Sequence, residues 1–279
     1  MFRLGIRLYC LRLYVSSQSQ ICDLPGGVGR SDAPGFSEPL MNIKFFLRTY
    51  LVLAFWAQAA TGMAGIQVGG TRVIFPATQQ EAALQVRNEG TDDIMIQSWI
   101  EAMPNQAQSD VPFAITPSLA RLGHRKEQTL RIFYQGVGLP QDRESVMWLN
   151  VQEIPQVSTS ENSLQIAIRQ RLKLFYRPKD LPGTADEAAR NLTWSVDKTS
   201  GSPVLLASNG SAFHVSFGKV SIVVDEKEYE VASSMVAPQG TERMAFRQLP
   251  ATLSGDAQVH WESINDYGGL VKHQALLRF

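Results

Sequence analysis

Three observations predict an all-β protein built from two β-sandwich domains. From residue 65 to the C-terminus, short runs of alternating apolar and polar residues recur at the period of half-buried strands. Turn formers separate them, drawn from 21 glycines and 14 prolines spread along 279 residues. A proline-rich break, "PKDLPG" at 178–183, divides the strands into two sets.

Ahead of the strands lies a segment of another kind. Residues 41–64, "MNIKFFLRTYLVLAFWAQAATGMA", hold a second methionine, basic Lys44 and Arg48, and an apolar run over 50–57. Gly62-Met63-Ala64 then supplies the small-x-small pattern of secretory signal cleavage. That apolar core is shorter than the roughly 20 residues a spanning helix needs, so no stable membrane insertion is expected. Residues 1–40, with "SSQSQ" and "LPGGVGRSDAPGFSEP", read as unstructured sequence. Either Met41 is the true start and 1–40 a mis-assigned extension, or 1–64 is one long signal region with Arg3, Arg7 and Arg12 as added positive charge. Both readings start the mature chain at Gly65 and remove the two cysteines, Cys10 and Cys22. The processed chain then has neither disulfide nor thiol nucleophile, and it is long enough to hold its fold by packing.

The first set predicts strands near 66–75, 82–88, 94–101, 111–115, 128–134, 146–154 and 164–175. Glu89-Gly90, Pro104-Asn105, Leu122-Gly123 and Gly138-Leu139-Pro140 separate several of them. Strands at this spacing read as an immunoglobulin-like sandwich. After the break, residues 185–190 read as a short polar helix. Strands resume near 192–196, 203–207, 212–217, 220–224, 228–232, 242–246, 256–262 and 270–278, with Asn209-Gly210 as a tight-turn pattern.

Chemistry is scarce. Lys plus Arg and Asp plus Glu each number 26, which excludes an electrostatic case for nucleic acid or an anionic membrane. His124, His214, His260 and His273 lack metal-ligand spacing, and no phosphate loop, nucleophile elbow or zinc-protease motif occurs. Asp92-Asp93 and the acidic run 225–230 sit in turn-like or strand-edge surroundings. No catalytic set, metal or cofactor is expected, and a binding protein is.

The stretch 139–155, "LPQDRESVMWLNVQEIP", resembles the signature of the periplasmic pilus-assembly (fimbrial) chaperones, with Pro140, Asp142, Glu144, Ser145, Trp148, Asn150, Ile154 and Pro155 in place. "TRVIFP" at 71–76, "TPSLARL" at 116–122, "LKLFYRP" at 172–178 and "INDYGG" at 264–269 keep the family's order, so the resemblance spans 65–279. It implies two immunoglobulin-like sandwiches at an angle with a cleft between them: 65–178, carrying a donor strand, and 179–279. It also implies periplasmic location, fimbrial subunits as partners and an outer-membrane usher as recipient.

In that family two cleft cations grip the subunit's C-terminal carboxylate, here Arg72 and Lys173. Cations converging on one carboxylate form charge-assisted hydrogen bonds, about twice as strong as neutral ones. The stretch 164–175 resembles the donor strand, with Leu164, Ile166 and Ile168 entering an incomplete subunit by β-augmentation; chaperone–pilin complexes are a known example of that mode. Standing alone, such an alternating strand reads as ordinary core. Leu164 and Lys173 have opposite parity, which a twist or a bulge would reconcile. Glu144, Arg177 and Asp266 correspond to an interdomain charge cluster. The short loop 156–163 resembles the subfamily serving rod-like pili. No cysteine is present for the second-domain disulfide of some members, and exposed edge strands suit a self-capping dimer. The competing readings are a pilin-like or adhesive immunoglobulin-fold module, which should show one incomplete domain, and a periplasmic hydrolase or sugar-binding enzyme.

Overall fold

The computed structural model describes residues 65–104, 111–157, 162, 164–199, 203–247 and 257–277. The extension, the export signal, Cys10 and Cys22 lie outside the described residues. The first sandwich comprises β1 (Ile66–Val68), β2 (Arg72–Pro76), β3 (Glu81–Asn88), β4 (Ile94–Ala102), β5 (Phe113–Thr116), β6 (Leu119–Leu122), β7 (Glu127–Tyr134), β8 (Ser145–Ile154) and β9 (Arg169–Arg177). One sheet runs β1-β3-β7-β5, the other β2-β9-β8-β4-β6. Alternation decides which residues face inward. Ala82, Leu84 and Val86 of β3 meet Met147, Leu149 and Val151 of β8 and Leu172 and Leu174 of β9 in one core. Each such Leu or Val contributes roughly 1.5–3 kcal/mol by burial. Under the junction of β2 and β9 the core turns aromatic. Phe75, Phe113, Tyr134 and Tyr176 stand ring against ring, Tyr134 and Tyr176 with centroids 4.5 Å apart.

The second sandwich has a separate core of Trp194, Leu205, Val220, Ile222, Met244 and Trp261. It begins with α1 (Ala185–Arg190), where Thr184 caps by accepting from the Glu187 N–H at 3.2 Å, as the T-x-x-E spacing predicts. The Trp261 indole donates to the Ala189 carbonyl at 3.0 Å and docks α1 on the sheet. The strands are β10 (Thr193–Asp197), β11 (Val204–Asn209), β12 (Val215–Val224), β13 (Lys227–Val231), β14 (Met235–Val236), β15 (Gly240–Ala245), β16 (Gln258–Ile264) and β17 (Leu270–Leu276). They pair as β10-β11-β15 and β13-β12-β16-β17, with β14 on β12.

Several sequence expectations change. The strand expected over 66–75 is two strands, because the chain crosses from one sheet to the other at Gly69-Gly70-Thr71. The pieces 212–217 and 220–224 are one strand, β12, kept continuous across a bulge between Phe217 and Lys219. Asn209-Gly210 is no hairpin turn but a crossing between sheets. There the Asn209 amide donates to Phe213 O at 2.7 Å and Ala237 O at 3.0 Å and accepts from Ser211 N at 3.0 Å. Periodicity overlooked β6 and β14, both too short to show a period. Finally, the strand expected over 164–175 is β9, 169–177, and residues 164–168 lie outside any ladder. Its antiparallel neighbour β8 ends at Ile154, and Pro155 has no N–H to extend the pairing.

Asn88 does for the first sandwich what Asn209 does for the second. Its buried amide donates to the carbonyls of Asp92, Leu122 and Gly123 and accepts from Gly90 N at 2.9 Å. Truncation strands these groups, so Asn88→Ala should lower stability by about 1–3 kcal/mol in urea unfolding with its m-value unchanged.

Candidate binding site

The site is set by parallel pairing of β2 with β9, which aligns Arg72 with Lys173 and runs to Pro76 opposite Arg177. Leu172, Leu174 and Tyr176 turn into the core, so Lys173, Phe175 and Arg177 occupy the opposite face, beside the second sandwich. The β8–β9 register runs without a shift from Ser145↔Tyr176 to Gln152↔Arg169. Within β9, then, no bulge intervenes, and Lys173 faces away from Leu172 and Leu174, while Leu164, Ile166 and Ile168 lie outside the strand.

Arg72 donates from Nη1 to the Ile264 carbonyl at 2.9 Å, and its guanidinium stacks over the Phe175 ring, 5.6 Å from the centroid. Its Nε is buried without a partner. Burial lowers the Arg72 pKa, against which Asp266 and Glu144 raise it. Lys173 Nζ donates to the Ser216 hydroxyl at 3.0 Å. Burial, then the adjacent Arg72 charge, lower the Lys173 pKa to about 8. Neither cation has a carboxylate at ion-pair distance among the described residues, whereas the neighbouring Arg177 has two. Two poorly hydrated cations side by side make a place where an anion is favoured.

Arg177 holds the junction. It donates to Glu144 Oε1 from Nε at 3.0 Å and from Nη2 at 2.8 Å, and to Asp266 from Nη1 at 2.7 Å and Nη2 at 3.0 Å. Burial alone would lower its pKa, but the hydrogen bonds to Asp266 and the charges of Glu144 and Asp266 outweigh that and hold it above its ordinary range. Glu144 is 3% exposed. Its other oxygen accepts from the His214 backbone N–H at 2.8 Å and lies 3.1 Å from His214 Nδ1. The cluster therefore joins strand ends of the first sandwich to the β16–β17 loop and the start of β12.

Upstream of Lys173 the strand is open. Because β2 begins at Arg72, no described strand pairs with the corresponding edge of β9 over 169–172. On the β8 side one bond continues, Glu153 N to Ile168 O at 2.9 Å. Beyond it Leu164 is 87%, Ile166 68% and Ile168 45% exposed. Spaced at about 3.3 Å per residue, Ile168 stands roughly 17 Å from Lys173.

The structure thus brings Arg72 and Lys173 together, unites Glu144, Arg177 and Asp266, and leaves Leu164, Ile166 and Ile168 uncovered. Sequence reading missed His214, Ser216 and the Ile264 carbonyl, all contributed by the second sandwich to side chains of the first. It also missed why "INDYGG" needs Gly268: φ is +83°, and a Cβ there would strike the Thr71 hydroxyl, the residue before Arg72. The only sequence sign of that contact was the pairing of two motifs.

Fold and site together define a class: two-sandwich proteins with an open strand edge that runs from a pair of cations to a stretch of exposed apolar residues. The chain matches the family model "Pili and flagellar-assembly chaperone, PapD N-terminal domain" over 65–182 and "Pili assembly chaperone PapD, C-terminal domain" over 187–275. It is 34% identical over 230 residues to the probable fimbrial chaperone YadV of Escherichia coli K12, covering 79% of this chain and 93% of that one. The crystal structure of the YadV chaperone matches with a TM-score of 0.68, over 77% of this chain and all of that one. Chaperone protein FimB/FhaD of Bordetella pertussis is 38% identical over 231 residues, covering 78% and 91%. A chain of the Salmonella enterica SafA pilin–SafB chaperone complex matches with a TM-score of 0.64 and 28% identity, covering 78% and 99%. The chain belongs to the pilus-assembly chaperone family, whose members are not enzymes.

Removing one side of a buried ion pair costs about 3–5 kcal/mol. Glu144→Gln should fall at the low end, because Arg177 keeps Asp266 and some solvent. Urea unfolding checks the loss, expected to exceed that of Asp266→Asn, whose carboxylate is more exposed.

Proposed function

We propose that the mature chain, starting at Gly65, is a periplasmic chaperone that lends residues 164–172 as a strand to an incomplete fimbrial subunit. One observation carries this: the open edge begins where the two cations stand. A subunit whose terminal carboxylate sits between Arg72 and Lys173 has its last strand in register with that edge. Backbone bonds along the edge give affinity for any extended segment. Leu164, Ile166 and Ile168 enter the subunit's groove, each contributing roughly 1.5–3 kcal/mol when buried. Glu144, Arg177 and Asp266 hold the second sandwich so that Ser216 and the Ile264 carbonyl steady the cations. An outer-membrane usher takes the loaded complex, and the subunit leaves when another subunit's strand fills its groove better. In the free protein the same edge pairs with a second copy, which hides an aggregation-prone strand.

Capture of subunits from a periplasmic extract, with the bound polypeptide identified by mass spectrometry, tests the reading. Arg72→Ala and Lys173→Ala should each weaken binding of a purified subunit at least tenfold, from loss of a charged hydrogen bond worth about 1.5–3 kcal/mol. Ile166→Asp should abolish capture yet shift the chaperone's own stability by less than about 0.5 kcal/mol, since its side chain touches solvent. Capture by that variant at wild-type strength would sink the donor-strand reading. Binding should also titrate. A carboxylate raises the Lys173 pKa from its free value near 8, so affinity is full below pH 8 and falls above it, by up to about tenfold per pH unit. Calorimetry between pH 7 and 9.5 reads the slope, which Lys173→Arg should flatten.

A further inference from the structure

At the far end of β8 the strand breaks its own pattern. Met147, Leu149 and Val151 point into the core, and the next inward position is Glu153, while Ile154 faces outward and is 37% exposed. Glu153 is only 8% exposed, opposite the fully buried Ile96. Its Oε2 has no hydrogen-bond partner, and no cation pairs with it among the described residues. Burial raises its pKa, with no other cause acting. A carboxylate so placed asks for a positive group.

Gly65 is the residue that touches it. A Cβ on Gly65 would overlap the Glu153 carboxylate, so the absence of a side chain is what lets the carboxylate lie this close to the backbone. By standard bond lengths the Gly65 nitrogen lies within about 5 Å of Oε2. The carbonyl of Gly65 is held by the N–H groups of Glu89 at 2.9 Å and Gly90 at 3.3 Å, and Ile66 pairs with Asn88, so the residue is fixed rather than trailing. Immediately before it stands the small-x-small sequence Gly62-Met63-Ala64.

We infer that Glu153 is the binding site for the protein's own new amino terminus: cleavage after Ala64 hydrolyses one peptide bond and frees an α-ammonium at Gly65, which pairs with the Glu153 carboxylate. As a peptide amide the same nitrogen offers one N–H and no charge. As an ammonium it offers three donors and the missing counter-charge. Processing therefore completes the rim from which the 164–168 segment projects, since Glu153 N bonds to Ile168 O at 2.9 Å. This rests on the reading that Gly65 is the mature start.

The experiment compares processed protein, its first residue established by mass spectrometry, with an Nα-acetylated form, each as wild type and Glu153→Gln. With Gly65 first, the α-amino group should titrate about one unit above its ordinary value of about 7.7–8.0, and Glu153→Gln should return it to that range, as read by NMR. Glu153→Gln should lower the folding equilibrium constant about tenfold more in the free-amine form than in the acetylated form. Acetylation keeps Glu153 intact, so the comparison survives if the substituted amide packs poorly. A different first residue overturns the inference together with the reading of Gly65 as the mature start. Gly65 first, with an ordinary α-amino pKa and equal effects in both forms, overturns the inference alone.

Discussion

Parallel pairing of β2 with β9 is the constraint on which the rest of the molecule depends. Because β1 and β2 lie in different sheets, β2 can begin only after the crossing at Gly69-Gly70-Thr71, and so it meets β9 midway, at Lys173. That single register aligns the two cations and leaves β9 unpaired upstream on the same edge. A longer β2 would cover the edge; a register moved by one residue would turn Arg72 into the core, because side chains alternate strictly along a strand.

The cleft spends stability on its cations. Lys173 and Arg72 are partly desolvated, adjacent and without carboxylate partners among the described residues, while Arg177, four residues on from Lys173, has two. The difference separates a site left ready for an anion from a joint already satisfied. Glu144 serves the joint completely: one oxygen takes Arg177, the other takes His214 of the second sandwich. Beside that joint, Ser216 and the Ile264 carbonyl of the other sandwich come within hydrogen-bond distance of Lys173 and Arg72.

Much of this was legible in the chain. Period-2 alternation located most strands, the polar stretch 185–190 read as the helix α1, and "PKDLPG" marked the break between the two sets, because each depends on neighbours a few residues away. The motifs around Arg72, Lys173, Glu144, Arg177 and Asp266 singled out these side chains through family likeness alone. The parity conflict between Leu164 and Lys173 does not arise within one ladder, because β9 is regular from Arg169 onward and Leu164 lies outside it. Where the reading failed, a non-local partner was responsible: 164–168 lacks its strand partner, and Asn209 bonds across a crossing instead of closing a hairpin.

By itself the amino-acid order determined the all-β class and the two sets of strands, since composition and short-range periodicity encode local backbone preference and burial. Only the tertiary structure decided that β2 begins at Arg72, that His214 closes the Glu144 network from a distance of 70 residues, and that Glu153 faces inward against Gly65. Those outcomes come from pairing and packing between segments far apart in the chain, whose registers are chosen by the whole core and leave no mark in any short stretch.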